Sequence, residues 1–244
     1  QGASIYSDYN DSDLLVYNSE FRNNTATNYS AGAILSDGTT VILSSNFENN
    51  SSLSYGGAVA TSSGSELYVV DSNFSGNSSN SWGGAIYGHN MNIQRSTFDA
   101  NVTGSNGAAI YQTSKNISIV DSIFTNNLAD DGGGAVYLVG DNGYISGSLF
   151  DSNQASLDSV SADGGAIHGQ SLDSLEIENS TFINNLVNGT TNSRGGALRV
   201  GNTNITNSTF YNNTAPNDPD SYDNFYINGI FNISNSIVDG NLSG

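Results

Sequence analysis

Residues 93–111 read IQRSTFDANVTGSNGAAIY, and one phrase inside that stretch decides the fold. Its fixed points are Ile93, Ser96, Phe98 and Asn101. The Phe recurs at Phe21, Phe47, Phe74, Phe98, Phe124, Phe150, Phe182 and Phe210, with Val238 in its place in a ninth copy. Three residues after each stands an Asn, from Asn24 to Asn241, and two before each stands a Ser, from Ser19 to Ser236. Five before each is a β-branched residue, from Val16 to Ile233. Self-similarity at a fixed period marks an array of stacked units, each too small to bury its own apolar face.

Between these phrases runs a second one, Gly-Gly-Ala-aliphatic or a near copy, whose aliphatic falls at Ile34, Val59, Ile86, Ile110, Val136, Ile167 and Leu198. Ile227 continues that column without the glycines. Each repeat therefore holds three short β-prone segments separated by Gly, Asn, Asp and Ser, with no stretch of helical periodicity. Segments so short pair only by stacking in parallel on the same segment of the next repeat. The expected fold is all-β, a right-handed parallel β-helix (solenoid) of about nine coils with three short strands per coil, spanning 1–244 as a single domain.

The columns also predict the inside of the coil. Phe and the Ser two before it share a face by the period of two, so both point inward, as does the β-branched residue across a corner. The residue between them varies among Asn, Asp, Ser, Gly and Arg, as at Asn18, Asp71, Arg95 and Gly147, and reads as that corner. The Asn after Phe marks the next turn, where its amide bonds backbone and the Asn amides above and below.

Composition narrows the function. Five basic against 23 acidic side chains give a formal charge of −18. That excludes the basic footprint of nucleic-acid binding. No apolar run approaches the length of a transmembrane segment. Hydrophobic residues make up 36% of the chain, which suits a thin, elongated core.

The alternation of WGGAIY at 82–87 with FDAN, FTNN and FINN resembles the repeats of chlamydial polymorphic outer-membrane proteins and of archaeal adhesin-like surface proteins. The resemblance covers nearly the whole chain. It implies a right-handed parallel β-helix on a cell surface, engaged in adhesion or envelope structure, and it carries no catalytic residues. The expected location is extracellular or cell surface, and the expected class is structural and adhesin-like, not enzymatic.

Several residue groups are candidate sites. Sixteen Asn-x-Ser/Thr acceptors occur, part of them generated by the repeat turns, and Asn23, Asn49, Asn188 and Asn212 are the glycosylation candidates. Tyr29, Tyr55 and Trp82 precede the Gly-Gly-Ala phrase in consecutive coils, while Tyr87, Tyr111 and Tyr137 follow it. Such rings stack on one another or on a glycan, so the first three are candidates for glycan or lateral contact. No cofactor is expected except calcium, which suits the oxygen-rich clusters Asp8, Asp11 and Asp13; Asp130, Asp131 and Asp163; and Asp218, Asp220 and Asp223. Solvated loop charge is the other reading. A polysaccharide lyase or glycosidase would draw on Asp131 and Asp163, which precede Gly-Gly-Ala in adjacent coils and are expected to lie roughly 5 Å apart.

The ends supply the last expectation. Gly2, Ala3 and Ile5 read like the start of a Gly-Gly-Ala-Ile strand, and Ile233, Val238 and Asn241 close the chain just past a Phe-x-x-Asn turn. The two ends are complementary in phase. They predict copies stacking head to tail into a filament with the β-helix continuing across the junction, partnered by other copies and by glycans or neighbouring filaments. A segment of a longer array, such as a carbohydrate-binding adhesin module, has the same phase. Residues 154–163, 186–194 and 214–224 carry insertions at one corner and are expected to form a ridge on one side.

Overall fold

The computed structural model describes residues 4–7, 13–27, 30–155, 162–191, 193–217 and 223–239. Over these residues the chain winds as a parallel β-solenoid. Three sheets run along it, each nine strands deep, and every strand pairs in parallel with its equivalents in the neighbouring coils. In one central coil the strands are Ile86–Gly88, Asn90–Gln94 and Thr97–Asp99. No helix occurs among the described residues.

A fourth ladder adds to the three strands read from sequence. It is made of two-residue strands such as Val102–Thr103 and Leu128–Ala129, seven of them in register. These pairs follow the buried Asn directly, and their second member, Ala26, Ser52, Ser79, Thr103, Ala129, Ala155 or Val187, turns inward. Two residues carry too little alternation to be read as a strand. Only their alignment with the coils above and below makes them one.

Three corners make the coil close. The residue before each inward Ser takes a left-handed conformation, from Asn18 (φ 46°) through Arg95 (φ 44°) to Asn235 (φ 49°). A second left-handed corner lies two residues after Phe, at Asn23, Asn49, Gly76, Ala100, Asn126, Ser152, Asn184 and Asn212. The third is the first residue of Gly-Gly-Ala, for example Gly83 (φ 68°). Asn, Asp and Gly recur at these positions because their short or absent side chains tolerate this region. The second glycine serves a different need. A Cβ on Gly57 would lie 2.0 Å from the carbonyl oxygen of Gly84, so adjacent coils approach backbone to backbone here, and from Gly32 to Gly196 the column is glycine in every coil but the one with Ala108.

The core is a set of one-residue-wide columns. Phe47, Phe74, Phe98, Phe124, Phe150, Phe182 and Phe210 are fully buried and stack nearly parallel at centroid spacings of 4.6–4.9 Å. Beside them the Asn column is saturated. Asn101 Nδ2 donates to Asn127 Oδ1 (2.9 Å) and to the Phe74 carbonyl (3.0 Å), while its Oδ1 accepts from the backbone N–H and the Nδ2 of Asn77 (3.0 Å each). Two donors and two lone pairs are all used, which is why a fully buried amide costs nothing here. The Ser column works alike: Ser72 Oγ donates to the Val70 carbonyl (2.8 Å) and accepts from the Ser45 N–H (3.1 Å).

At the last coil the count departs from expectation. Leu198 pairs with Phe225, not Ile227, and Ile227 pairs with Val200. Phe225 packs edge-on against Phe210 (4.6 Å, 71°) and tilted against Phe231 (5.4 Å). The aromatic bulk that Val238 gives up in its column is thus supplied from the other two sheets. Below the three long corners a separate small core forms from Ala155, Ala162, Val187 and Ala215. The bases of the three insertions therefore stack on one side; 156–161, 192 and 218–222, including Pro219, lie outside the described residues.

Candidate functional site

The outward positions of the first sheet carry a contiguous group of polar and aromatic side chains. The residue after each inward aliphatic faces out, which gives Tyr87, Tyr111, Tyr137, His168, Arg199 and Tyr226 in successive coils. A second row precedes the glycines and runs Tyr55, Trp82, Asn106, Gly132, Asp163, Arg194. The two rows mesh. Trp82 stacks on Tyr55 (4.9 Å) and Tyr111 (5.1 Å), Tyr55 on Tyr87 (4.9 Å), and Tyr111 on Tyr137 (5.0 Å). Burial pushes the Tyr111 hydroxyl up to about 12, helped by Tyr87 and Tyr55, and burial raises Tyr137 further. Faces turned to one another are not presented to a ligand. Of the candidates for glycan contact, Tyr55 and Trp82 sit half-buried in this ladder, and Tyr29 lies outside the described residues.

The rows continue into a charged group of which the sequence singled out only Asp163. The His168 ring lies edge-on to Tyr137 (4.6 Å), over Gly132, where a Cβ would come within 2.6 Å of Nδ1. Its Nε2 contacts the Arg199 guanidinium, whose Nε is 3.5 Å from the Asp163 carboxylate. Burial, and then Arg199, hold His168 neutral with its pKa lowered to about 3. Arg194 lies over the Tyr226 ring at 4.6 Å. Extending the column of Tyr87, Tyr111 and Tyr137 by two coils would have found His168 and Arg199.

The carboxylates paired from sequence are out of register. Asp163 pairs with Gly132, one residue beyond Asp131. The third glycine of residues 132–134 displaces Asp131 from the column. Asp131 accepts from Ser105 Oγ (2.8 Å), while Asp163 faces Arg199. His89 and His168 lie three coils apart, and His89 Nδ1 is within 3.0 Å of Ser114 Oγ. Among the described residues no three His, Asp or Glu side chains converge as a metal would require. Asp8, Asp11, Asp218 and Asp220 lie outside the described residues.

Asn23, Asn49, Asn188 and Asn212 are exposed, the first, second and fourth at left-handed corners. Asn50, Asn77 and Asn101 also precede x-Ser/Thr, but they are fully buried in the Asn column with both amide hydrogens used. At the ends, Ile5 is half-buried, Ile233 is 39% exposed and Val238 is half-buried; Gly2, Ala3 and Asn241 lie outside the described residues. Asn213, the last described member of the Asn column, donates through Nδ2 to Asn224 Oδ1 (3.0 Å).

The Chlamydia polymorphic membrane protein repeat, as a family model, matches residues 44–62, 71–89 and 121–138. The chain carries repeats similar to those of polymorphic membrane proteins. Each match begins at the left-handed corner before the inward Ser (Ser44, Asp71, Asp121) and ends in or just past the first-sheet strand. The signature thus specifies the Phe strand, the Asn turn, the fourth ladder and the glycine corner, and leaves out the second sheet. No curated protein and no solved structure matches the chain. Repeat and solenoid together fit a surface, adhesin-like protein, and among the described residues no helix is long and apolar enough to cross a membrane.

Proposed function

We propose that this chain is a non-enzymatic, extracellular rod whose copies stack head to tail, so that the β-helix of one continues into the next. The observation that carries the reading is the state of the last described coil. It keeps the parallel register of every coil before it, yet Ile233 is 39% exposed where Ile205 in the same column is 1%. Ile230 and Ile237 are 68% and 67% exposed. At the other end Ile5, Leu14 and Phe21, all in inward columns, are half-buried. Among the described residues the terminal strands of the three long sheets pair on one side only. An open edge of this kind is a template for another strand, and a contact between unlike ends does not close on itself. Where the source organism attaches glycans, Asn23, Asn49, Asn188 and Asn212 are the sites this reading assigns; Asn49, Asn188 and Asn212 lie inside the terminal coils, while Asn23 lies in the first described coil.

Sedimentation velocity and negative-stain microscopy of the native protein over a concentration series test the assembly. Rods lengthening with concentration are expected, with the double variant Ile233→Lys, Val238→Lys remaining monomeric and folded. A native protein that stays monomeric throughout overturns the filament.

A further inference from the structure

The face that the repeat signature leaves free holds a groove of about 520 Å³, inside the roughly 300–1,000 Å³ of small-ligand sites. It lies on the outer side of the second sheet, across the strands Glu66–Val70, Asn90–Gln94, Asn116–Val120, Asn142–Ser146 and Ser174–Glu178. All of its lining falls outside the three matched segments, so the inner columns and turns of the repeat do not dictate these side chains.

The outward row Tyr68, Asn92, Ser118, Tyr144 runs along the axis. Two tyrosines three coils apart, roughly 14 Å at a strand spacing of roughly 4.8 Å, bracket a floor of short polar side chains. Both rings are tethered through their hydroxyls, Tyr68 donating to Glu66 Oε2 (2.9 Å) and Tyr144 to Glu178 Oε2 (3.3 Å). The neighbouring row is Asn90, Asn116, Asn142 and Ser174, in which Asn142 Nδ2 donates to Asn116 Oδ1 (3.2 Å) and Ser174 Oγ to Asn142 Oδ1 (2.7 Å). No cation lines the groove, and Glu176 stands in its lining.

We infer that this groove binds a short neutral oligosaccharide. Amides and hydroxyls offer the paired donors and acceptors that sugar hydroxyls need, and tethered tyrosine rings supply apolar faces at low entropic cost. The carboxylates at the rim, on a chain of charge −18, disfavour an acidic sugar. The site is on the flank and does not rest on head-to-tail assembly.

Maltotriose, cellotriose, mannotriose and N-acetylchitotriose are the probes, titrated against the unglycosylated protein by calorimetry and ligand-observed NMR, with trigalacturonate as the acidic comparison. At least one neutral trisaccharide is expected to bind with a Kd of millimolar or below. Tyr68→Ala and Tyr144→Ala should each weaken it about tenfold. Ser118→Trp, which fills the floor and keeps both walls, should abolish it, while Trp82→Ala on the other ladder leaves it unchanged. Each variant is checked for an unaltered melting temperature. The site is disproved by no binding of any neutral probe, by binding indifferent to Ser118→Trp, by equal binding of trigalacturonate, or by wild-type copies associating through this face in place of sugar.

Discussion

The coil that runs from Ile86 to Thr103 and the one that runs from Phe225 to Val238 share a register but not an interior. In the first, Phe98 lies between Phe74 and Phe124, Ile93 is fully buried, and Asn101 has partners above and below. In the second, Val238 replaces the stacked ring, Ile233 reaches solvent, and Phe225 turns across the end of the Phe stack. Backbone pairing needs one neighbour to be held in place; burial and side-chain satisfaction need two. A solenoid coil therefore inherits its shape from one side and its stability from both.

The sharpest test exchanges one atom of the Asn column. Asn101→Asp replaces a donor of two hydrogen bonds by an oxygen facing the Asn127 and Phe74 oxygens, in a fully buried site, and should cost about 4 kcal/mol or more in urea unfolding. Asn24→Asp, in the first described coil, should cost less than half of that. Equal losses would mean that the column does not depend on two-sided enclosure.

His168 reads the same two-sidedness through pH. It is covered by Tyr137 from one coil and by Arg199 from the next, with Asp163 beyond Arg199 and Asp131 one residue before Gly132 of the adjoining row. Its folded pKa of about 3 lies below the ordinary value near 6.5, so the unfolded chain takes up the proton first. Stability from this residue is whole above pH 6.5 and falls as pH drops towards 3, by about 2 kcal/mol between pH 7 and pH 5. His168→Gln should flatten that part of the stability profile, leaving a smaller slope from His89, whose pKa burial also lowers.

The smallest effect concerns the aromatic of the last described coil. Val238→Phe alone crowds Phe225, and Phe225→Leu alone leaves Phe210 uncovered. The double variant should recover a stacked ring in its usual column, with a coupling of about 1 kcal/mol in a double-mutant cycle. Additive effects would show that Phe225 does not stand in for the missing Phe.

How much was legible depended on whether a feature repeats at constant distance. The Phe, Ser and Asn columns and the corner at Asn18 through Asn235 were readable because each coil imposes the same demand at the same offset. The Asn three after Phe marks this turn in sequence, but the left-handed residue is the one before it, where Ala100 and Ser152 hide the Asn and Gly preference. Ile227 falls outside the column that its spacing suggests because the corner before it changes length, and Asp131 does so because a glycine is added. Tyr68 and Tyr144 carried no signal, being separated by three coils and by unlike residues between.

The sequence alone determined the parallel stack and the inward columns, because a side chain pointing into a coil one residue wide meets only its own equivalents; the surface, adhesin-like reading rests on the likeness of its repeats to a known family. The tertiary structure decided what lies side by side on the outside and at the ends: the two-residue fourth ladder, the meshed aromatic rows, Asp163 over Gly132, Phe225 across Phe210, and the polar groove. Those contacts join residues from different coils at unequal offsets. Their geometry is fixed only when loops of different length have closed onto a common axis.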